Sequence, residues 1–161
     1  MTYFNELEEN DLKFLWKLLN EENIIKILHI KPMSYEDIMI AYNKYWSNDP
    51  DERNLIIKEN ESQIGWLKIN GLNGNEKIWI SELIISGKFQ NKGYGTNTIK
   101  FIEKYVKESK FEKICIMTQE DNINAISFYK KNGYEIINEK IGIADNGENI
   151  KNIVFQKIIN Q

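Results

Sequence analysis

A glycine-rich segment near the middle of the chain has the residue types of an anion-binding turn. Residues 90–96 read Gln-Asn-Lys-Gly-Tyr-Gly-Thr and follow an apolar, β-branched run at 78–85 that is typical of a buried strand. Apolar residues then recur at helical spacing over 97–107, which predicts an amphipathic helix. A glycine turn at a helix start leaves backbone N–H groups unpaired at the positive end of the helix dipole. Such a turn is suited to bind phosphate.

The spacing of the glycines separates this turn from two common phosphate-binding loops. The three-glycine order of the dinucleotide-binding fingerprint is absent, and no Gly-Lys-Ser/Thr follows as it does in a P-loop. Arg53 is the only arginine, so bidentate arginine clamps on a phosphate are almost unavailable. Backbone amides and lysines, such as Lys92 within the turn, would therefore have to hold the anion.

A second segment, residues 121–134, has the caps of a short helix and an aromatic pair inside it. Asn122 precedes the apolar residues at helical spacing, and asparagine is a favourable N-cap. Gly133 follows them, where glycine adopts the left-handed conformation that ends many helices. A Phe-Tyr pair that ends at Tyr129 lies within this helix. The segment begins three residues after a predicted strand at 113–118.

Together, the two segments resemble the two signatures of the Gcn5-related N-acetyltransferase (GNAT) superfamily. The family's cofactor loop reads Gln/Arg-x-x-Gly-x-Gly/Ala between a strand and a long helix, as Gln90, Gly93 and Gly95 do here. Its second signature reads Asn-x-x-Ala-x-x-Phe/Leu-Tyr-x-x-x-Gly-Phe/Tyr. The chain matches that signature at Asn122, Ala125, Phe128, Tyr129, Gly133 and Tyr134. The resemblance implies an enzyme that uses acetyl-CoA and transfers its acetyl group directly to an amine.

The resemblance also implies where the cofactor lies. The sheet would splay open between the strand at 78–85 and the strand at 113–118, with acetyl-CoA in the gap. A strand that leaves its neighbour exposes unpaired N–H and C=O groups, and the amides of pantetheine are a suitable partner. The pyrophosphate would lie over the glycine turn. The residues predicted to bind the cofactor are Leu83, Ile84, Ile85, Gln90, Asn91, Lys92, Gly93, Tyr94, Gly95, Thr96, Asn122, Ser127, Tyr129 and Lys130.

Tyr129 is the residue predicted to act as general acid. In the family, the matching tyrosine lies near the thioester sulfur and can protonate the departing thiolate. Spacing alone favours another interpretation, in which Tyr129 is a core aromatic on the same helix face as Ala125 and Phe128. The match to the whole signature favours the catalytic role.

Glu82 is the residue predicted to act as general base towards the acceptor amine. It is the charged residue of the strand before the glycine turn, and a carboxylate among apolar neighbours must be paired or open to a cleft. Strict alternation places Glu82 on the opposite face from Ser81 and Leu83, so a structural ion pair is the competing interpretation. Glu120 and Asp121, which flank the end of the next strand, are second choices for the base.

These residues must be positioned by an α+β architecture. The order of the predicted elements indicates a GNAT-like fold with one mixed, mostly antiparallel sheet of six or seven strands, splayed in the middle and flanked by about four helices. The strand at 113–118 is expected to run parallel to the strand before it, across a right-handed helical crossover. The predicted strands are 54–58, 63–70, 78–85, 113–118, 134–137 and 152–159. The predicted helices are 12–19, 35–46, 97–107 and 122–131, with a shorter helical piece within 21–31.

Length and composition limit the class of protein. A chain of 161 residues is expected to form a single N-acetyltransferase domain, 1–161, with its own core. The sequence contains no apolar run of membrane-spanning length, and its first residues do not have the pattern of a signal peptide. A net charge of −3 argues against a nucleic-acid partner. The single cysteine, Cys115, excludes an internal disulfide and fits the cytoplasm.

His29 and Cys115 are not predicted to take part in the chemistry. His29, the only histidine, is distant in sequence from both signatures and is expected to be a loop or surface residue. Cys115 lies in an apolar strand and is expected to be a small core residue. No spacing typical of metal ligands occurs, so no metal site is predicted.

The leading hypothesis is an acetyl-CoA-dependent N-acetyltransferase that acts on a primary amine of a small molecule, such as an aminoglycoside-like or polyamine-like cation. The enzyme would be a monomer or homodimer. Two alternatives stay open: acetylation of protein N-termini or lysines, and a catalytically silent module that binds acetyl-CoA. The acceptor end is expected to be built by residues 20–46 and the loops near Asp145. Acidic and aromatic residues predicted there are Glu21, Glu22, Glu36, Asp37, Tyr35, Tyr42, Tyr45 and Trp46.

Overall fold

Seven β-strands form a single sheet in the computed structural model, which describes residues 1–161. The strands are β1 Thr2–Glu6, β2 Glu52–Glu59, β3 Ser62–Asn70, β4 Lys77–Ile85, β5 Lys113–Gln119, β6 Glu135–Ile143 and β7 Asn149–Ile158. Their order across the sheet is β1-β2-β3-β4-β5-β7-β6, and the pair β4–β5 is parallel while every other pair is antiparallel. The mixed, mostly antiparallel sheet is therefore confirmed, as is the parallel β4–β5 pair.

Five α-helices flank this sheet, one more than the four expected. They are α1 Leu12–Leu19, α2 Glu22–Leu28, α3 Tyr35–Ala41, α4 Tyr94–Lys107 and α5 Ile123–Lys131. Helix α3 continues as a π-helical turn over Tyr42–Trp46. At its start, Ser34 Oγ accepts a hydrogen bond from Asp37 N at 3.1 Å, and the Asp37 carboxylate accepts one from Ser34 N at 3.0 Å. None of the five helices is long and apolar enough to cross a membrane.

Two apolar clusters pack on opposite faces of the sheet. The larger contains 17 buried residues, among them Ile102 of α4 and Phe155 of β7. The smaller contains eight buried residues, among them Leu15 of α1 and Trp66 of β3. Trp66 and its neighbour Leu67 belong to different clusters, as the alternation of side chains along a strand requires. Helices α4 and α5 therefore cover one face, while α1 and α3 cover part of the other.

The strand β1 and the full length of the last hairpin were not predicted. Five residues with little apolar alternation form β1, which is held by pairing with β2 and by Phe4, whose ring stacks on Phe101 at 4.1 Å. The hairpin of β6 and β7 extends beyond the predicted strands at 134–137 and 152–159. Its outer strand β6 is almost entirely exposed, so burial leaves no pattern there for sequence analysis to detect.

A β-bulge in β4 changes which side chains share a face of the sheet. Ile80 pairs with Ile69 and Glu82 pairs with Lys68, so Ser81 is the extra residue of the bulge. Ile80 therefore packs in the larger cluster, and Leu83, three positions later, packs against the same cluster. The prediction of strict alternation through Ser81 and Glu82 was wrong for this reason.

Candidate functional site

The sheet opens between β4 and β5 after their first four paired residues. The parallel ladder runs from Lys77 opposite Lys113 to Ile80 opposite Ile116 and then ends. Beyond this point β4 continues to pair with β3, and β5 continues to pair with β7. The edge of β4 that faces β5 is consequently without a strand partner near Ile85. The expected splay of the sheet is present at the expected position.

The glycine turn leaves a run of backbone amides free at the start of α4. Asn91 and Gly93 adopt positive φ angles of 61° and 89°, and Gly93 is the N-cap of α4 without a side-chain cap. The first backbone hydrogen bond at this end runs from Asn97 N to Gly93 O at 3.0 Å. The N–H groups of residues 91–96 therefore donate to no group within the chain. Together with the helix dipole they form an electropositive site suited to phosphate.

Side chains around the turn strengthen this electropositive character. The Nζ atoms of Lys88 and Lys92 lie 5.1 and 5.8 Å from the centre of the Phe89 ring. Gln90 Nε2 donates a hydrogen bond to Ile85 O at 2.8 Å, which fastens the turn to the end of β4. The turn is therefore positioned directly at the opening of the sheet.

A cavity of about 750 Å³ lies in this opening, between β4, the glycine turn, α5 and α2. This volume is in the range of cofactor-binding pockets. The predicted cofactor residues that line it are Leu83, Ile84, Ile85, Gln90, Asn91, Gly93, Tyr94, Gly95, Thr96, Asn122 and Tyr129. Lys92, Ser127 and Lys130 are exposed and lie outside the lining, and Glu82 also lies outside it.

Tyr129 is positioned by aromatic packing and presents its hydroxyl to the cavity. Its side chain is 7% exposed, and its ring centroid lies 5.4 Å from that of Phe128 and 5.6 Å from that of Phe155. The hydroxyl has no hydrogen-bond partner in the chain, whereas every fully enclosed polar side-chain atom has one, so the hydroxyl is open to the cavity. Burial, and to a lesser extent the charge of Glu82, raises the pKa of Tyr129, so the phenol stays protonated at neutral pH.

Glu82 is a carboxylate whose proton affinity is tuned to neutral pH. It is partly buried in β4 opposite Lys68. Burial raises the pKa of Glu82 to about 7, and the positive charge of Lys68 opposes only part of this increase. Glu82 also contributes to the raised pKa of Tyr129, which places the two groups in one electrostatic environment. A carboxyl group with a pKa near 7 can accept and release protons at physiological pH.

Helix α2, which lies within the residues 20–46 expected to build the acceptor end, forms a wall of the cavity. The Glu21 carboxylate precedes α2 and accepts hydrogen bonds from Ser86 Oγ at 2.5 Å and Gly87 N at 2.8 Å, so α2 is tied to the end of β4. The lining residues that were not predicted to bind the cofactor include Asn23, Lys26, Ile27, Leu28, Phe89, Asp121, Ile123, Asn124 and Phe128. The irregular spacing of α2 gave no signal beyond a short helical piece.

The acidic and aromatic residues predicted for the acceptor end do not line the cavity. Trp46 packs against Trp66 with ring centroids 5.1 Å apart, and Tyr35 meets the edge of Trp16 at 5.9 Å. Helix α3 packs on α1 in the smaller cluster, and none of its side chains lines the cavity. Of residues 20–46, only α2 supplies lining groups. None of Glu21, Glu22, Glu36, Asp37, Tyr35, Tyr42, Tyr45 and Trp46 lines this cavity, and their place at the acceptor end stays a prediction.

The part of the chain that contains both signatures matches a known family. Residues 12–134 match the acetyltransferase (GNAT) family. The chain belongs to this family. It is therefore an acetyltransferase that uses acetyl-CoA, as the resemblance of the two signatures implied.

Individual relatives agree with this assignment. Spermidine N(1)-acetyltransferase of Escherichia coli (strain K12) is 23% identical over 135 residues, which cover 83% of this chain and 72% of that protein. A Bacillus subtilis protein named YdhI is 37% identical over 51 residues, and the match spans 32% of its length. The crystal structure of spermidine N-acetyltransferase from Vibrio cholerae in complex with CoA and spermine has a TM-score of 0.85 at 21% identity. It covers 98% of this chain and 95% of that chain, which shows the same fold.

The opening of this GNAT fold has the features that acetyl-CoA requires. The free amides of residues 91–96 suit a pyrophosphate, and the unpaired edge of β4 suits the amides of a pantetheine arm. Gly95 allows α4 and α5 to approach closely, because a Cβ built on it would lie 3.2 Å from Phe128 Cζ. The two signatures of the family therefore meet at this contact.

Replacing Gly95 with Val is expected to weaken the binding of CoA by about tenfold or more. The added side chain would collide with Phe128 and displace α5 from the turn, at an overpacking cost of about 1–3 kcal/mol. Isothermal titration calorimetry with CoA measures the effect. Gly142→Val is the matched control, because the nearest atom to a Cβ at Gly142 is 3.9 Å away and β6 lies outside the cavity. Equal affinities of the two variants for CoA would show that the cofactor does not lie over this turn.

Proposed function

We propose that the chain transfers the acetyl group of acetyl-CoA to a primary amine of a small cationic molecule, with polyamines as the acceptor class. The observation that carries the proposal is the cavity between β4 and β5, where the free amides of the turn and the Tyr129 hydroxyl face one space. The polyamine class is supported by the similarity to spermidine acetyltransferases in both sequence and fold. Asp121 adds an exposed carboxylate to the lining, which suits an amine cation.

The cofactor contacts that we propose follow from the geometry of the cavity. The amides of residues 91–96 hold the pyrophosphate, and the backbone of Leu83 and Ile85 pairs with the pantetheine. Asn122 caps α5, since its Oδ1 accepts a hydrogen bond from Ala125 N at 3.2 Å. This bond fixes the start of the helix that carries Tyr129. Lys92, Ser127 and Lys130 remain predicted contacts outside the lining.

The proposed chemistry uses two proton transfers at residues of the chain. Acetyl-CoA supplies the acetyl group as a thioester. Glu82, which lies outside the cavity lining, accepts through a water molecule the proton that the amine must lose before it forms the new C–N bond. Tyr129 donates its phenolic proton to the sulfur as the C–S bond breaks. The raised pKa of Glu82 suits proton exchange near neutral pH, and the raised pKa of Tyr129 keeps the phenol protonated until the thiolate departs, after which Tyr129 regains a proton from solvent.

The place of action that we propose is the cytoplasm, with the enzyme as a monomer or homodimer. The thiol of Cys115 is free and buried, which fits a reducing compartment.

Release of free thiol from acetyl-CoA, measured with a panel of acceptors, tests the proposed function. We expect spermidine and spermine to be turned over with kcat/KM at least about tenfold above an aminoglycoside, a lysine-containing peptide and a peptide with a free N-terminus. A reaction without acceptor controls for hydrolysis of the thioester. Preference for either peptide would favour protein acetylation. Tight CoA binding without turnover of any amine would favour the silent module.

A further inference from the structure

The wall formed by α2 ends at His29, whose ring is held between two carboxylates from distant parts of the chain. His29 Nε2 lies 2.8 Å from Asp121 Oδ2, and His29 Nδ1 lies 2.8 Å from Glu148 Oε2. The His29 side chain is only 12% exposed. The residue adopts a left-handed conformation, with φ 54° and ψ 41°, that ends α2 and turns the ring towards both partners. His29 therefore lies in a turn, as expected, and its ring is built into a junction between distant parts of the chain.

Backbone hydrogen bonds reinforce the same junction. Asn146 N donates to His29 O at 3.0 Å, and Lys31 N donates to the Asp145 carboxylate at 2.9 Å. The segment after α2 is thus fastened to the turn between β6 and β7. The His29 ring adds the turn between β5 and α5, where Asp121 lines the cavity. Three elements meet at this ring, and two of them form walls of the cavity.

The pairing defines the protonation state that the junction needs. Each ring nitrogen faces a carboxylate oxygen, so each must donate a hydrogen bond, and only the imidazolium has two N–H groups. Burial alone would lower the pKa of His29, but the hydrogen bonds to Glu148 and Asp121 and their negative charges outweigh burial and raise it above 6.5. The other charged groups on the elements that meet here are Asp145 in the β6–β7 turn, Glu120 in the β5–α5 turn, Glu22 and Lys26 of α2, and Lys31 just after α2.

We propose that His29 is a positioning residue: its doubly paired imidazolium holds the α2 wall against the turn that carries Asp121, and this closure sets the affinity for the acceptor amine. The inference rests on the proposed function, because α2 can shape an acceptor site only if the cavity receives an acceptor. This clamp, the doubly paired His29 ring, is present at and below pH 6.5, because the pairing with Glu148 and Asp121 raises the pKa of His29 above that value. It is lost as the pH rises through the raised pKa of His29, and the KM for the acceptor then increases.

Titration of the His29 ring by NMR tests the clamp without any enzymatic turnover. His29 is the only histidine, so its ring resonances are assigned without further labelling. The expected pKa is above 6.5, and it is expected to fall in Asp121→Asn and in Glu148→Gln. Glu139→Gln is the matched control, because Glu139 is a carboxylate on the same hairpin that pairs with Lys151 instead. A pKa at or below 6.5, or one that neither partner variant lowers, would overturn the clamp.

Replacing His29 with Asn separates positioning from folding, since Asn tolerates the left-handed backbone and carries no charge. We expect the acceptor KM to rise about tenfold at pH 6 and lose its dependence on pH, with kcat changed by less than about twofold. Amide hydrogen exchange over residues 22–28 should become faster, whereas Glu139→Gln leaves it unchanged. Unchanged amide hydrogen exchange in α2 would overturn the positioning role. A fall in kcat as large as the rise in KM, together with a lower Tm, would overturn it as well. If no amine is acetylated, the proposed function fails, while the titration and the exchange still decide the clamp.

Discussion

Replacing Tyr129 with Phe is expected to lower kcat by roughly 10²- to 10⁴-fold, the usual contribution of a positioned general acid. The change removes only the hydroxyl, which makes no hydrogen bond within the chain, and keeps the ring that packs against Phe128 and Phe155. Stability and the affinity for CoA should therefore change little. The measurements are steady-state kinetics with acetyl-CoA and spermidine, calorimetry with CoA, and thermal unfolding.

Tyr134 provides the matched control for this prediction. It is buried next to Tyr129, with ring centroids 6.1 Å apart, but its hydroxyl donates to Glu103 Oε1 at 3.3 Å and does not face the cavity. Tyr134→Phe should cost about 1 kcal/mol of stability and leave kcat unchanged. Equal kcat in Tyr129→Phe and the parent enzyme, or equal losses in both variants, would contradict the acid role.

Replacing Glu82 with Gln is expected to lower kcat about 10²-fold above pH 7 and to remove a pH-dependent step near that value. A base must be deprotonated to act, and burial raises the pKa of Glu82 to about 7, so kcat should rise as the pH increases through 7 and then level off. The Gln variant should lack this step. The measurement is kcat from pH 5.5 to 9 at saturating acceptor. Under this condition kcat does not depend on the acceptor KM, which we expect to rise with pH because of His29.

Two further variants test the assignment of Glu82. Lys68 lowers the pKa of Glu82, so Lys68→Met should shift the step in kcat to higher pH. Glu120→Gln changes the second-choice base, which is exposed and lies 4.0 Å from Lys151, and should leave the step in place. A step that survives in Glu82→Gln and disappears in Glu120→Gln would transfer the role of base to Glu120.

The parts of the site that depend on local sequence were predicted well. The turn at residues 90–96 and the caps of α5 require particular residues within a few positions of each other. Glycine marks the positions with a left-handed backbone, and asparagine marks the N-cap, so both can be recognised in the sequence. Both signatures therefore placed the free amides and Tyr129 at the same opening. The splay between β4 and β5 followed from the family resemblance and is present in the structure.

The parts that depend on distant pairing were not predictable in the same way. The bulge at Ser81 is defined by how Lys68 and Ile69 pair with β4, and no feature of β4 alone reveals it. The partners of His29 lie 92 and 119 residues further along the chain, so their convergence exists only in the fold. Helix α2 is short and irregular in its apolar spacing, and its role as a cavity wall comes from the attachment of Glu21 to Gly87.

The use of main-chain donors in the turn affects how the sequence of this enzyme can change. Exchanges of Lys92 or Thr96 for residues other than proline remove no N–H group from the anion site, so capture of the cofactor by the main chain should survive them, although loss of Lys92 removes a nearby positive charge. Gly95 has no such freedom, because any larger residue meets Phe128. A library randomised across the turn and selected for CoA binding should therefore retain Gly95, for lack of space, and Gly93, for its positive φ angle of 89°, while Lys92 and Thr96 diversify.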